Sequence, residues 1–207
     1  ADIVIENFKV NGLKKYNLDY KSVKKENPSI IYCSITGFGQ TGPKADKPGY
    51  DFIIQAMGGI MDLTGEAGGE PQKSGVAYAD IFTGLYSVIA IQSALLARQA
   101  TGNGTYIDMA LFDTQLGVLA NQGASYLQTG ISPTRMGNSH PVIVPYQKFD
   151  TSDGTIIIAC GNDNQFSKLC TALGWTFHTD KRYQTNKDRV LNRKNLINLM
   201  EERLLVL

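Results

Sequence analysis

Residues 30–43 read IIYCSITGFGQTGP. Ile30 through Ile35 is short, largely β-branched and free of polar–apolar alternation, the pattern of a strand covered on both faces of a parallel sheet. It runs into Thr36-Gly37-Phe38-Gly39-Gln40-Thr41-Gly42-Pro43. A strand that opens into glycines is where α/β sheets commonly place ligands. The glycines lack the GxGxxG spacing that opens a helix, so no dinucleotide site is indicated. Backbone N–H groups at Gly37, Gly39 and Gln40 could approach a ligand, and a plain tight turn fits the same residues equally well.

Working outward, residues 3–5 read as a second buried strand and residues 21–26 as a helix stopped by Asn27-Pro28. Downstream, Phe52, Ile53, Ala56, Met57, Ile60 and Met61 give helical spacing over residues 50–64, with Gly58-Gly59 allowing a close helix contact. Residues 65–75 form a polar loop. Residues 80–100 make the strongest helix, so nearly apolar all round that it is expected in the interior. A turn at 101–104, a strand at 105–110 and a helix at 114–127 follow. Composition shifts over residues 129–141, rich in Gly, Ser, Pro and Asn, which read as a linker or active-site loop. Residues 142–149 and 155–159 form a hairpin-like pair around Asp150-Thr151-Ser152-Asp153-Gly154, with helices near 165–173 and 193–204. This tail reads as the start of a separate α+β domain. The chain opens without Met on a strand-like run and stops inside a helical pattern, so it is expected to be a piece of a longer one.

Lys and Arg total 20 against 19 for Asp and Glu. With no basic stripe or acidic tail, neither a nucleic-acid partner nor a membrane surface is expected. No run reads as long and apolar enough to span a bilayer, and there is no signal-peptide pattern. Cys33, Cys160 and Cys170 are odd in number and lack metal-ligand spacing, so reduced, buried thiols in a cytoplasmic compartment are expected, with no metal.

The chemistry centres on residues 49–80, GYDFIIQAMGGIMDLTGEAGGEPQKSGVAYAD, which end in Asp80 at the start of the apolar helix. Two roles fit this carboxylate. As an N-cap it would accept a hydrogen bond from an N–H two or three residues on. As a nucleophile it would use the same place, because the helix dipole favours its ionised form and carboxylates serve as covalent catalysts toward acyl groups. The free N–H groups could also hold an oxyanion on the attacked carbon. Local sequence does not separate the two.

Several linked motifs do. Ile5-Glu6-Asn7-Phe8, the run from Tyr32 to Pro43, Gly49-Tyr50-Asp51, Asp80 with Thr83-Gly84, and Thr101-Gly102-Asn103-Gly104 occur in this order and spacing. The chain thereby resembles the family III CoA-transferases, which include formyl-CoA transferase, carnitine CoA-transferases and α-methylacyl-CoA racemases. Ile143-Val144-Pro145-Tyr146-Gln147, Ile31 to Ser34 and YQTNKDRVLN at 183–192 are most similar to the succinyl-CoA:glutarate, dicarboxylate branch. The resemblance implies an α/β fold, with residues 1–128 as part of a large Rossmann-like CoA-binding domain. It makes 129–141 a linker or active-site loop and 142–207 the start of a smaller α+β domain. It further implies Asp80 as catalytic nucleophile, passing CoA from an acyl-CoA to a small carboxylic acid through aspartyl anhydride and aspartyl-CoA thioester intermediates. Coenzyme A is then a substrate, and no permanently bound cofactor or metal is needed. Asn7 and Phe8 match CoA-lining positions; read alone, they are a polar strand end and an apolar anchor. Family members form interlocked homodimers, a ring that a chain of half the usual length is not expected to close. The alternatives to a transferase are a racemase or epimerase of 2-methylacyl-CoA and a non-catalytic acyl-CoA-binding fragment, and the chain alone is expected to be inactive even if its parent is an enzyme. Cytoplasmic location is implied, or the mitochondrial matrix in a eukaryote.

Two positions depart from the pattern. Racemases carry histidine where this chain has Tyr50, and a phenol of unperturbed pKa near 10 suits α-proton exchange poorly. Tyr50 and Asp51 match positions lining the transferase site, or pack at a helix start. Gly137-Asn138-Ser139-His140 stands where formyl-CoA transferase has a run of glycines, so its lid is not carried over. His140 could face the site, though solvent is the favoured reading; His178 has no supporting context. Arg135 could bind the distal carboxylate of a dicarboxylate in a bidentate fork, against a plainer reading as a surface arginine.

Overall fold

The computed structural model describes residues 1–206; Leu207, the last residue of the expected second domain, lies outside them. Two compact units emerge, residues 1–65 with 69–135, and residues 66–68 with 136–207.

The first unit runs β1 (Ile3–Glu6), α1 (Tyr20–Glu26), β2 (Ile31–Thr36), α2 (Asp51–Met57), α3 (Ile60–Leu63), α4 (Tyr78–Thr101), β3 (Thr105–Ala110), α5 (Leu111–Val118) and α6 (Ala120–Thr129). Its strands form one parallel sheet in the order β1-β2-β3, with Ile31 between Ile3 and Thr105. Successive side chains of β2 meet opposite layers, which is why the strand is apolar without alternation. Ile31 and Cys33 pack with Ile107 of β3 against Ile91 and Ala94 of α4. Tyr32 and Tyr106 turn the other way onto Tyr20 of α1, with ring centroids 5.9 and 4.6 Å from it. The Tyr32 hydroxyl donates to the Leu18 carbonyl at 2.6 Å. Burial pushes the Tyr32 phenol up to about 12. The fold is α/β, a parallel sheet layered between helices.

Several expectations are corrected. Residues 3–5 form a strand, but β1 pairs on one side only and Ile5 is 60% exposed. The helix expected over 50–64 breaks at Gly58 and at Gly59, whose φ of +86° is left-handed, so α2 and α3 are separate. The one expected over 114–127 starts earlier and breaks near Ala120, at φ 47°. The largest correction concerns α4, which is not interior all round. Its inward stripe is Ala79, Thr83, Ser87, Ile91 and Ala94, while Ile81, Leu85, Val88, Ile89 and Leu96 point outward and are exposed. Small residues let the helix axis approach the sheet closely. The hydroxyls of Thr83 and Ser87 remain satisfied by donating to the carbonyls of Ala79 and Thr83, at 2.7 and 2.8 Å.

At 24 residues α4 is also long and apolar enough to cross a membrane, contrary to the sequence expectation. Its packing gives it another role. Ile91 and Ala94 on one face of it cover the β2–β3 face of the parallel sheet.

The second unit holds an antiparallel hairpin of β4 (Tyr146–Asp150) and β5 (Thr155–Ala159), followed by α7 (Asp163–Ala172), α8 (Asn186–Leu191) and α9 (Arg193–Leu204). Phe149, Ile158, Phe166, Trp175, Tyr183, Leu196 and Met200 form its core. Arg189 is fully buried within it and donates to the carbonyls of Val144, Tyr183 and Gln184 and to Asp163 Oδ1 at 2.8 Å. Helix α8 was not expected from the sequence; its signal is the Thr185–Asp188 capping box.

Candidate active site

Three chain segments meet at the C-terminal end of the parallel strands. After β1, Glu6 Oε2 accepts the Phe8 N–H at 2.9 Å and turns the chain so that Asn7, Phe8 and Lys9 line a cavity. After β2, the backbones of Gly37 and Gly49 touch so closely that a Cβ on either would overlap the other, and only glycines allow this crossing. The crossing delivers Lys47 and Tyr50 to the same cavity. The first turns of α4 supply Asp80, Thr83 and Gly84. The cavity, open to solvent on one side, has a volume of about 580 Å³.

Asp80 is not the cap of α4. The helix begins at Tyr78, its N-cap Ala77 has no side-chain acceptor, and Asp80 stands in the first turn. The cap comes from α2. Asp51 Oδ1 accepts the N–H of Ala79 at 2.8 Å and that of Asp80 at 3.4 Å. Asp51 Oδ2 accepts from Gln55 Nε2 at 2.7 Å, and buried Gln55 accepts the Ser74 N–H at 2.9 Å. A partner 29 residues away is invisible to a local capping pattern, which is why local sequence left the cap reading open. Among the described residues no hydrogen bond reaches the Asp80 carboxylate. Burial, and after it the Asp51 carboxylate, push the Asp80 acid above its ordinary value. The peptide dipoles at the start of α4 favour the ionised form and act in the opposite direction.

Asn7, Phe8, Gly37, Tyr50 and Asp80 therefore share one cavity, with Tyr50 strongly exposed at 74%. The other candidates stand elsewhere. Asp51 lies behind Asp80 as the cap of α4. Gly39 donates its N–H to Thr36 Oγ1 at 3.0 Å, and Gln40 donates to the Asp108 carboxylate at 2.9 and 3.1 Å. Gln40 faces a smaller cavity of about 370 Å³ shared with Tyr20, Tyr32 and Tyr106. Arg135 is no free surface arginine, for its side chain is 16% exposed. It holds Asp62 Oδ1 at 2.7 Å and the carbonyls of Asp62 and Gly69 at 2.7 and 3.0 Å, and it does not line the Asp80 cavity.

Gly137 and His140 belong to the second unit. Gly137, at φ +56°, turns beside Glu66. His140 is half-buried, where solvent was expected. Its Nδ1 accepts the Val142 N–H at 3.2 Å and its ring packs on Tyr146, 5.1 Å between centroids. Sequence reasoning did not single out Lys9 and Lys47, which no local pattern marks. Thr83 and Gly84 were quoted as motif residues, and their i+3 and i+4 spacing from Asp80 places them on its face. Among the described residues no three His, Cys, Asp or Glu side chains come together as a metal-ligand set.

Comparisons with known proteins give the family. The sequence matches CoA-transferase family III over residues 1–206. It is 58% identical over 194 residues to a succinate–glutarate CoA-transferase of Agrobacterium fabrum, covering 93% of this chain and 48% of that protein. Against the human succinyl-CoA:glutarate CoA-transferase it is 41% identical over 204 residues, covering 98% of this chain and 47% of that protein. A crystal structure of a CAIB/BAIF family protein from Brucella suis superposes with a TM-score of 0.82 at 64% identity, covering 100% of this chain and 55% of that one. The chain thus spans about half the length of the curated relatives it matches. On the family match, the relatives and the shared fold together, this chain belongs to CoA-transferase family III.

Proposed function

We propose that the protein carrying this chain transfers CoA from an acyl-CoA to a carboxylic acid, with Asp80 as the acyl-accepting nucleophile. One observation carries the reading: a carboxylate without a hydrogen-bond partner among the described residues opens onto a cavity large enough for a thioester and its pantetheine arm. The two curated relatives named above act between succinyl and glutaryl groups by their names, which supports a dicarboxylate such as glutarate as acceptor.

In the proposed sequence the Asp80 carboxylate attacks the donor thioester carbonyl. The C–S bond breaks, CoA thiolate departs, and an acyl–aspartyl anhydride remains. The thiolate then attacks the aspartyl carbonyl, the anhydride C–O bond breaks, and the donor acid leaves as its carboxylate. The acceptor carboxylate attacks the resulting aspartyl-CoA thioester and forms a second anhydride. The returning thiolate takes the acceptor acyl group and frees Asp80. No net proton moves. Lys9 and Lys47 at the cavity suit the phosphates of CoA, while Asn7 and Phe8 line the arm's path.

Residues 1–128 would do the CoA-binding work, 129–141 link, and 142–207 begin the smaller domain. The outward apolar face of α4 supports a homodimer. Three free buried thiols fit a reducing compartment, the cytoplasm or, in a eukaryote, the mitochondrial matrix.

The test uses the full-length polypeptide. It is incubated with succinyl-CoA and a panel of acids, trapped with hydroxylamine or borohydride, and mapped by mass spectrometry. Label at Asp80 that disappears in Asp80→Ala supports transfer. Label elsewhere, or undiminished turnover in Asp80→Ala, defeats it, and α-proton exchange without acyl transfer points to a racemase.

A further inference from the structure

Asp51 adjoins the nucleophile position in the fold, yet the reaction sequence above gives it no step. Its carboxylate is fully engaged. One oxygen receives the N–H groups of Ala79 and Asp80, and the other receives Gln55 Nε2 at 2.7 Å. Gln55, with no exposed surface, passes the contact on by accepting the Ser74 N–H at 2.9 Å and reaching the Val76 carbonyl at 3.4 Å. Two side chains of α2 thus tie both the first turn of α4 and the loop leading into it. Because Ala77 offers no acceptor, the nearest local carboxylate is Asp80 at the third helical position, able to fold back onto the first N–H groups of its own helix. With that place filled from outside, the Asp80 carboxylate stays free at the cavity.

We propose that Asp51 is a positioning residue for Asp80, capping α4 in its stead and thereby keeping the nucleophile uncapped and aimed at the thioester. The inference rests on Asp80 being the acyl acceptor. Asp51 also acts by charge, as the second cause, after burial, that holds the Asp80 acid high. The other titratable groups around the cavity are Lys9 after β1, Asp46 and Lys47 before α2, and Tyr50 at its start; Tyr78 lies on α4 itself.

The experiment follows single-turnover formation of the Asp80 adduct from succinyl-CoA in the full-length protein, across pH. The adduct is first mapped in the unsubstituted protein. A label elsewhere than Asp80 overturns both readings, before any variant is made. Asp51→Ala is expected to slow adduct formation at saturating donor by about 10- to 100-fold, the scale of a nucleophile misplaced by an ångström. The donor KM should move far less, because the residues lining the arm are untouched. The acid limb of the rate should shift to lower pH, since removing a neighbouring negative charge eases ionisation of Asp80. In Asp51→Asn/Gln55→Glu, donor and acceptor are exchanged across the same contact, and the double variant is expected to recover most of the rate that Asp51→Asn loses. This pair also serves if Asp51→Ala does not fold. An unchanged adduct rate with an unmoved acid limb overturns the proposal, as does a double variant no faster than Asp51→Asn.

Discussion

Asp80 carries a conflict between stability and chemistry that a single substitution exposes. Its acid is held high by burial and by Asp51, so the folded state binds the proton more tightly than the unfolded chain does. The penalty of ionisation is absent below the unfolded value of about 3.9 and is fully present once pH exceeds the raised folded value. Asp80→Asn is therefore expected to raise the thermal midpoint at pH 7 and to leave it unchanged near pH 3, while abolishing the covalent adduct. A midpoint that falls at neutral pH would show that the carboxylate makes a stabilising contact. Much of this site was legible in the sequence at the level of identity. Tyr50, Asp80, Asn7 and Phe8 are marked by linked motifs and do converge. What the sequence could not show is who caps whom, because the Asp51–Ala79 bond spans 28 positions and no helical or strand period connects them.

The same division between type and orientation appears in the elements. The apolar continuity of β2 correctly announced a strand covered on both faces, since alternate side chains each meet a helix. For α4, apolar continuity misled. Hydropathy ranks Ile89 far above Ser87, yet the sheet receives Ser87, whose small side chain permits close approach. Hydroxyls that donate to their own helix enter that contact without an unsatisfied donor. The contrast can be measured. Ser87→Leu overfills the α4–sheet contact and is expected to lower the stability of the first unit by about 1–3 kcal/mol. Leu85→Ser, on the outward face, should change the unfolding free energy of the monomer, read from urea denaturation, by about 0.5 kcal/mol or less. Equal losses would mean that the inward stripe has been wrongly assigned.

At the scale of the whole molecule the outward face of α4 needs an occupant. Ile81, Leu85, Val88 and Ile89 lie on successive turns, so their exposed surfaces join into one stripe. Each buried side chain of this size is worth about 1.5–3 kcal/mol, and monomeric proteins seldom leave such a patch in water. Half the length of the relatives is outside this chain, and a homodimer is part of the proposed function, so either more chain or a second copy can cover the stripe. Residues 1–207 on their own lack the first cover and keep the second. They are expected to self-associate in a concentration-dependent way by light scattering, and Val88→Asp/Ile89→Lys should shift the population toward monomer without lowering the thermal midpoint. The charge pair changes nothing on the sheet side, where Ser87 and Ile91 make the contact. A chain that remains monomeric throughout a concentration series would show that the stripe tolerates water, removing the structural support for the dimer but leaving the chemistry of Asp80 intact.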